Sequence, residues 1–303
     1  MLPQVSSIFN FFRKNSYSFH DITKHGHEQY QDIIINNAVI KKASGDHRDN
    51  QLRYHIIQKI LDRYQRPFGM LDIGASQGYY SLRTAHDYNC VCVMIEGNNP
   101  AYPKVGSQLL QICKANHLLN NIILLNKQVI PRDLKRLSEC ECFDIVLALN
   151  IIHWFGPLWK DVADAILKMG DNIIVETPPQ EEIVGKKENA LRKSIEEYLL
   201  FNNATILGKA PRHTSDKMAT IYLIEAEKKT LARKQWLSPV ESFDHFTISS
   251  NYKTKTSTKK LQHSALQVQD WHPGINLMTF LMYSGAYPER NQIKTAVKIG
   301  HIF

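Results

Sequence analysis

Leu71-Asp72-Ile73-Gly74-Ala75-Ser76-Gln77-Gly78-Tyr79-Tyr80 is the stretch whose residue types and spacing point most directly to chemistry. An apolar run carrying an acid leads into a G-x-x-x-G turn and then into an amphipathic helix (Ser81 to Ala85). Glycines at that spacing let the backbone turn tightly and approach a ligand, with the amides of the following helix aimed at it. Asp72, Gly74, Ala75, Ser76, Gly78 and Tyr79 are therefore candidates for a nucleotide-sized binding loop. Ser76 and Tyr79 stand where a dinucleotide fingerprint needs glycines, which disfavours NAD and FAD. The missing Lys-Ser/Thr pair excludes a P-loop. The ligand so implied has no phosphates to cradle, and the plain alternative is an ordinary strand-turn-helix.

A second acid fits the same picture. Val91-Cys92-Val93-Met94-Ile95-Glu96 is an unbroken apolar run, as in a strand buried on both faces, and it closes on a carboxylate. In doubly wound folds an acid there, about 20 residues past the glycine loop, accepts hydrogen bonds from the ribose hydroxyls. Glu96, followed by Gly97, is the expected ribose clamp; a solvent-facing acid is the alternative. The elements that must position these groups follow in order: a helix over 105–116, a strand over 121–125, a short helix after Pro131, and strands over 143–150 and 172–177 with a helix over 158–169 between them. This alternation predicts a parallel sheet with right-handed crossovers. A charged helix over 186–200 precedes two closing strands, 204–208 and 219–224. Upstream, the segment 45–54 opens a helix over 51–64, with Asp49 or Asn50 as N-cap.

The ordered set of glycine loop, acid-ended strand and closing hairpin resembles class I S-adenosylmethionine-dependent methyltransferases. GASQGYYSL with NHLLNNIILLN is similar to FkbM-type and polysaccharide-associated methyltransferases. RDNQLRY, HWFG and WHPGINLMTFLMYSGAYPER together resemble the methyltransferase half of bacterial O-antigen chain-terminating enzymes, which methylate a glycan or its terminal phosphate. HWFG followed by Glu-Thr-Pro-Pro is also similar to RNA 5′-phosphate methyltransferases. The resemblance implies an α/β, Rossmann-like sheet of about seven strands, mostly parallel with the last antiparallel, helices on both faces, and S-adenosylmethionine as cofactor. The expected organisation is an N-terminal extension with a cofactor-covering helix (1–59), a methyltransferase core (60–227) and a basic C-terminal extension (228–303).

The reaction should sit where the fourth strand ends, at Asn150-Ile151-Ile152-His153-Trp154-Phe155-Gly156-Pro157, because ligands in open α/β sheets lie at the carboxyl ends of the strands. Methyl transfer is an in-line displacement, so the protein must align acceptor and methyl and exclude water. A hydroxyl acceptor benefits from a base, and His153 has a suitable intrinsic pKa; a phosphate acceptor needs only cationic positioning. His153 is thus a base or orienting group, a residue packing the adenine side, or structural. Trp154 and Phe155 wall the pocket or stack a base. Asn150 sits where related enzymes touch the methionine portion or the acceptor, and Glu176 faces the same crevice. Arg48 or Arg53 could pair with the cofactor's carboxylate in a forked bond; a capped helix with solvated arginines is the alternative.

The 303 residues are 43% hydrophobic and 22% charged, enough for one α/β core with extensions. No apolar run approaches the ~20 residues that span a bilayer, and Arg13-Lys14 follows the short apolar Ile8–Phe12 run instead of preceding it. These features predict a cytoplasmic protein, with peripheral membrane contact left open. Five cysteines suit a reducing compartment. Cys90/Cys92 and Cys140/Cys142 could suggest zinc, but residues two apart on a strand share a face, so core packing is expected for the first pair and no metal is assigned. The net charge of +8 allows an anionic partner. Lysines recur outside the core, as in the polar run 251–260, giving either a solvated loop or a phosphate-tracking surface. The expectation is O-methylation of a glycan or glycan phosphate, with an RNA methyltransferase and a non-catalytic binding protein as the alternatives.

Overall fold

The computed structural model describes residues 29–44, 49–65, 68–88, 90–97, 105–116, 122–126, 128–140, 143–178, 186–211, 217–226, 247–248 and 266–267. Arg48 and the lysine-rich run 251–260 lie outside the described residues. The elements are β1 (Ile33–Ile35), β2 (Ala38–Lys41), α1 (Asn50–Leu61), β3 (Phe68–Ile73), α2 (Tyr79–Asp87), β4 (Cys90–Glu96), α3 (Val105–Ala115), β5 (Ile122–Asn126), α4 (Pro131–Cys140) and β6 (Phe143–Leu149). A 3₁₀ turn (Ile152–Leu158) then leads to α5 (Trp159–Met169), β7 (Gly170–Thr177), α6 (Lys186–Phe201), β8 (Thr205–Pro211) and β9 (Met218–Glu225). Two short strands, β10 (Thr247–Ile248) and β11 (Leu266–Gln267), pair with each other.

Seven strands form one sheet in the order β5-β4-β3-β6-β7-β9-β8. The first five run parallel, and β9 runs antiparallel to both β7 and β8. This is the Rossmann-like α/β fold. Both faces are covered, and the strands show it residue by residue. Met70, Met94, Ile145, Leu147 and Ile174 pack on the side of α1, α2 and α3, while Leu71, Val93, Val146, Ala148 and Val175 pack on the side of α4, α5 and α6. Since successive residues point to opposite faces and both faces are dry there, the central strands β3, β4 and β6 read as near-continuous apolar runs instead of alternations.

Helix α1 begins where its capping residue predicts. Asp49 is extended, and its carboxylate accepts from the Leu52 amide at 2.8 Å. It ends at Leu61, three residues short of the expected 64. Its Ile56, Ile57, Ile60 and Leu61 stripe packs on the sheet. A hairpin not anticipated from sequence, β1-β2, turns through Asn36 (φ 50°) and Asn37 (φ 65°), both left-handed. Asparagine tolerates that conformation, and two such residues in sequence make the tight turn that suits strand twist. The hairpin docks through Asn116, whose Oδ1 accepts from the Asn36 amide and whose Nδ2 donates to the Ile34 carbonyl, both at 2.9 Å.

Candidate functional site

Strands β3 and β6 are neighbours at the point where the chain's order across the sheet reverses, and the crevice outside their carboxyl ends is where an open α/β sheet takes its ligand. The glycine loop leaves β3 here and Asn150 leaves β6. Gly74 (φ 75°) and Gly78 (φ 76°) adopt the left-handed turn the spacing predicts. A Cβ on Gly78 would lie 2.7 Å from Leu109 Cδ1, so the loop is also pressed against α3. Ser76 (φ 53°) shares the left-handed conformation without being glycine.

The loop's amides are spent on protein partners. Gly74 and Ala75 donate to the Ile95 carbonyl at 2.9 and 3.2 Å, and Gly78 donates to the Ala75 carbonyl at 2.8 Å. Ser76 donates to Glu96 Oε2 at 2.7 Å, and the first amide of α2, Tyr79, donates to Gln31 Oε1 at 2.9 Å. A phosphate would need those amides. These amides are therefore not free to cradle a phosphate, in keeping with the residues other than glycine at Ser76 and Tyr79.

Glu96 ends β4 with both carboxylate oxygens engaged, Oε1 accepting from the Gly97 amide at 2.9 Å. Burial raises its pKa while the Ser76 and Gly97 amides oppose the rise. A carboxylate fixed this way keeps further lone pairs for a pair of hydroxyls. Asp72 is buried beneath the loop, and the Ser81 hydroxyl donates to it at 2.7 Å. Burial pushes its pKa up to about 7, against the pull of Ser81 and with help from the Glu96 charge.

Asn150 carries φ 58° and donates from Nδ2 to the Tyr30 hydroxyl at 2.8 Å. Its Oδ1 is buried with no hydrogen-bond partner among the described residues. An orphaned buried acceptor favours a donor brought by a ligand, such as the ammonium of an amino acid. Together with the phosphate-free loop and Glu96, it makes the residues present fit S-adenosylmethionine.

Arg53 stands elsewhere than either sequence reading put it. It is 1% exposed, and its Nε and Nη2 donate to Glu176 Oε2 and Oε1 at 3.0 and 3.1 Å. Burial alone would lower the guanidinium pKa; the Glu176 charge overrides it and the net shift is upward. Neither a solvated arginine nor a fork open to a ligand carboxylate, Arg53 gives its fork to Glu176, which in turn is no bare acid facing the crevice. His153 lies half-buried in the 3₁₀ turn, its ring 5.4 Å from that of Trp154. Trp154 is 60% exposed and so forms a rim instead of the expected dry wall, whereas Phe155 packs on the core. Cys90 and Cys92 share a face as expected, buried with sulfurs 3.5 Å apart.

Sequence reading missed Gln31, Tyr30, Gln77 and Gln108. Gln77 Oε1 accepts from the Gln31 amide at 2.8 Å and from the Ser76 hydroxyl at 2.7 Å, and its Nε2 donates to Gln108 Oε1 at 3.1 Å. This network straps the hairpin to the glycine loop. The one sequence signal for it was Asn36-Asn37 between two apolar runs, a hairpin signature.

No protein-family model matches the chain, and no curated protein matches its sequence. Solved structures do match its fold. The bifunctional kinase-methyltransferase WbdD superimposes at a TM-score of 0.55 with 19% identity, covering 69% of this chain and 46% of that one. Its structure at 2.2 Å gives the same TM-score and identity, over 69% and 47%. The N-terminal domain of EvdMO1 with SAH bound matches at a TM-score of 0.45 with 11% identity, over 75% and 98%. The chain thus spans about half the length of WbdD.

Proposed function

We propose that this protein is an S-adenosylmethionine-dependent methyltransferase. The observation that carries the reading is the crevice between β3 and β6, where a glycine loop whose Gly74, Ala75, Ser76, Gly78 and Tyr79 amides are bonded within the protein stands beside a two-amide-held Glu96 and an Asn150 acceptor lacking a donor. S-adenosylmethionine, when bound, supplies a methyl group activated on a sulfonium. Glu96 would receive the ribose hydroxyls, and Asn150 Oδ1 would accept from the ammonium of the methionine end. Asp72, Gly74, Ala75, Ser76, Gly78, Tyr79 and Gly97 shape the nucleoside pocket. The likeness to WbdD, described as a kinase-methyltransferase, supports the class of reaction.

The acceptor we favour is a hydroxyl or phosphate of a glycan. For a hydroxyl acceptor, His153 would take the acceptor's proton; an anionic phosphate needs no base. The exposed Trp154 ring beside His153 offers an apolar face at the mouth of the crevice. Incubation with radiolabelled S-adenosylmethionine and separate pools of glycan, RNA and protein tests the reading. Label in the glycan pool is expected. Label in RNA would move the acceptor assignment, and cofactor binding without label in any pool would leave a binding protein without turnover.

A further inference from the structure

The ion pair between Arg53 and Glu176 has no task in the reading just given, yet both of its members are buried. Arg53 is 1% exposed and Glu176 5%. Besides its two bonds to Glu176, Arg53 donates from Nη2 to the Pro211 carbonyl at 2.6 Å and from Nη1 to the Asp49 carbonyl at 3.4 Å. Four hydrogen bonds commit nearly all the donors of one guanidinium. A direct fork to a ligand carboxylate would have to break one of them.

Stability alone is a weak reason for such a pair, because taking two charges out of water offsets most of their attraction. Its geometry suggests a better one. The backbone carbonyl of Glu176 accepts from the Asn150 amide at 3.0 Å. That bond holds Asn150 in a left-handed conformation uncommon for a residue with a side chain. From there its Nδ2 meets Tyr30 and its Oδ1 is left as an unfilled acceptor. The path runs from α1 through the ion pair to the end of β7 and across to Asn150.

We propose that Arg53 and Glu176 form a positioning pair, which sets Asn150 for the amino-acid end of the cofactor without touching the ligand. The inference rests on the methyltransferase reading above. Three probes separate the possibilities by calorimetry: S-adenosylhomocysteine, its decarboxylated analogue, which keeps the ammonium, and 5′-methylthioadenosine, which has no amino-acid end. Arg53→Met and Glu176→Gln should each weaken the first two roughly tenfold, about one hydrogen bond's worth, with little further loss in the double variant. Methylthioadenosine should bind all forms alike.

Loss confined to S-adenosylhomocysteine, with the decarboxylated analogue and methylthioadenosine bound as before, would mean that Arg53 meets the carboxylate directly, and the proposal falls. A lowered melting temperature with all three affinities unchanged would leave the pair a structural one, with the same consequence, as would equal weakening of all three. Should the Arg53 variant fail to fold, Asn150→Ala carries the test: it must reproduce the selective loss of the two ammonium-bearing ligands. A wild-type chain that binds none of the three refutes the cofactor reading itself, and this inference with it.

Discussion

Glu96 holds the loop through the Ser76 amide, and in the proposed function its remaining lone pairs take the ribose hydroxyls. Glu96→Ala should therefore weaken S-adenosylhomocysteine binding by about 1.5–3 kcal/mol, the usual value for hydrogen bonds to a charged group. Calorimetry decides it, and equal affinities would move the ribose elsewhere. Asp72 gives a pH signature. Its carboxyl titrates at 3.8 in its ordinary state and at about 7 when folded. Between those values the folded chain holds a proton that the unfolded chain has lost. The associated stability is full below the lower value and falls as pH rises to the upper one. Asp72→Asn cannot ionise and retains an oxygen for Ser81. Its stability relative to wild type should rise by roughly 2–3 kcal/mol from pH 5 to pH 7. Urea titrations at both pH values check this, and a constant difference would contradict the burial argument. For a hydroxyl acceptor, His153→Ala should lower kcat about 10²–10⁴-fold with cofactor affinity little changed. For a phosphate acceptor the same change should mainly raise KM. Full activity with every substrate would return His153 to a structural role.

At the scale of elements, α1 packs closely against the edge strand β8. Gly208 is the contact point: a Cβ there would lie 2.9 Å from Ile56 Cδ1 and Cγ2. Ile56 is one turn beyond Arg53 on α1, so the same approach carries Arg53 to Glu176 and to the Pro211 carbonyl. Gly208→Val inserts bulk into a packed contact and should destabilise the fold by about 1–3 kcal/mol. A urea midpoint equal to wild type would show that α1 can shift without loss. The left-handed Gly78 and the Asn36-Asn37 turn are further places where a backbone requirement, and not an apolar pattern, decides the residue.

At the scale of the molecule, the net charge of +8 bears on the partner. If the lysines outside the core contact a phosphate-bearing acceptor, acceptor binding should weaken steeply between low and physiological salt, while S-adenosylhomocysteine binding barely changes. Titrations at two salt concentrations measure both, and a salt-independent acceptor would make those lysines a solvated surface. No helix among the described residues is long and apolar enough to cross a membrane.

The core of the sheet, the glycine loop and the place of Glu96 at the end of β4 were legible in the sequence. Strands buried on both faces must be apolar throughout, a left-handed turn at close quarters selects glycine, and an acid at the end of the next strand follows by spacing. The cap of α1 was legible for the same local reason. Contacts between residues remote in the chain depend instead on how the elements pack. Arg53 meets Glu176 across 123 positions, Asn150 meets Tyr30 across 120, and Gln31 caps α2 across 48. A side-chain hydrogen bond leaves no periodic mark on either of its segments. Arg53 therefore reads as a solvated or ligand-binding arginine until α1 is seen to cross β8, and Trp154 as a buried wall until its turn is seen to face solvent.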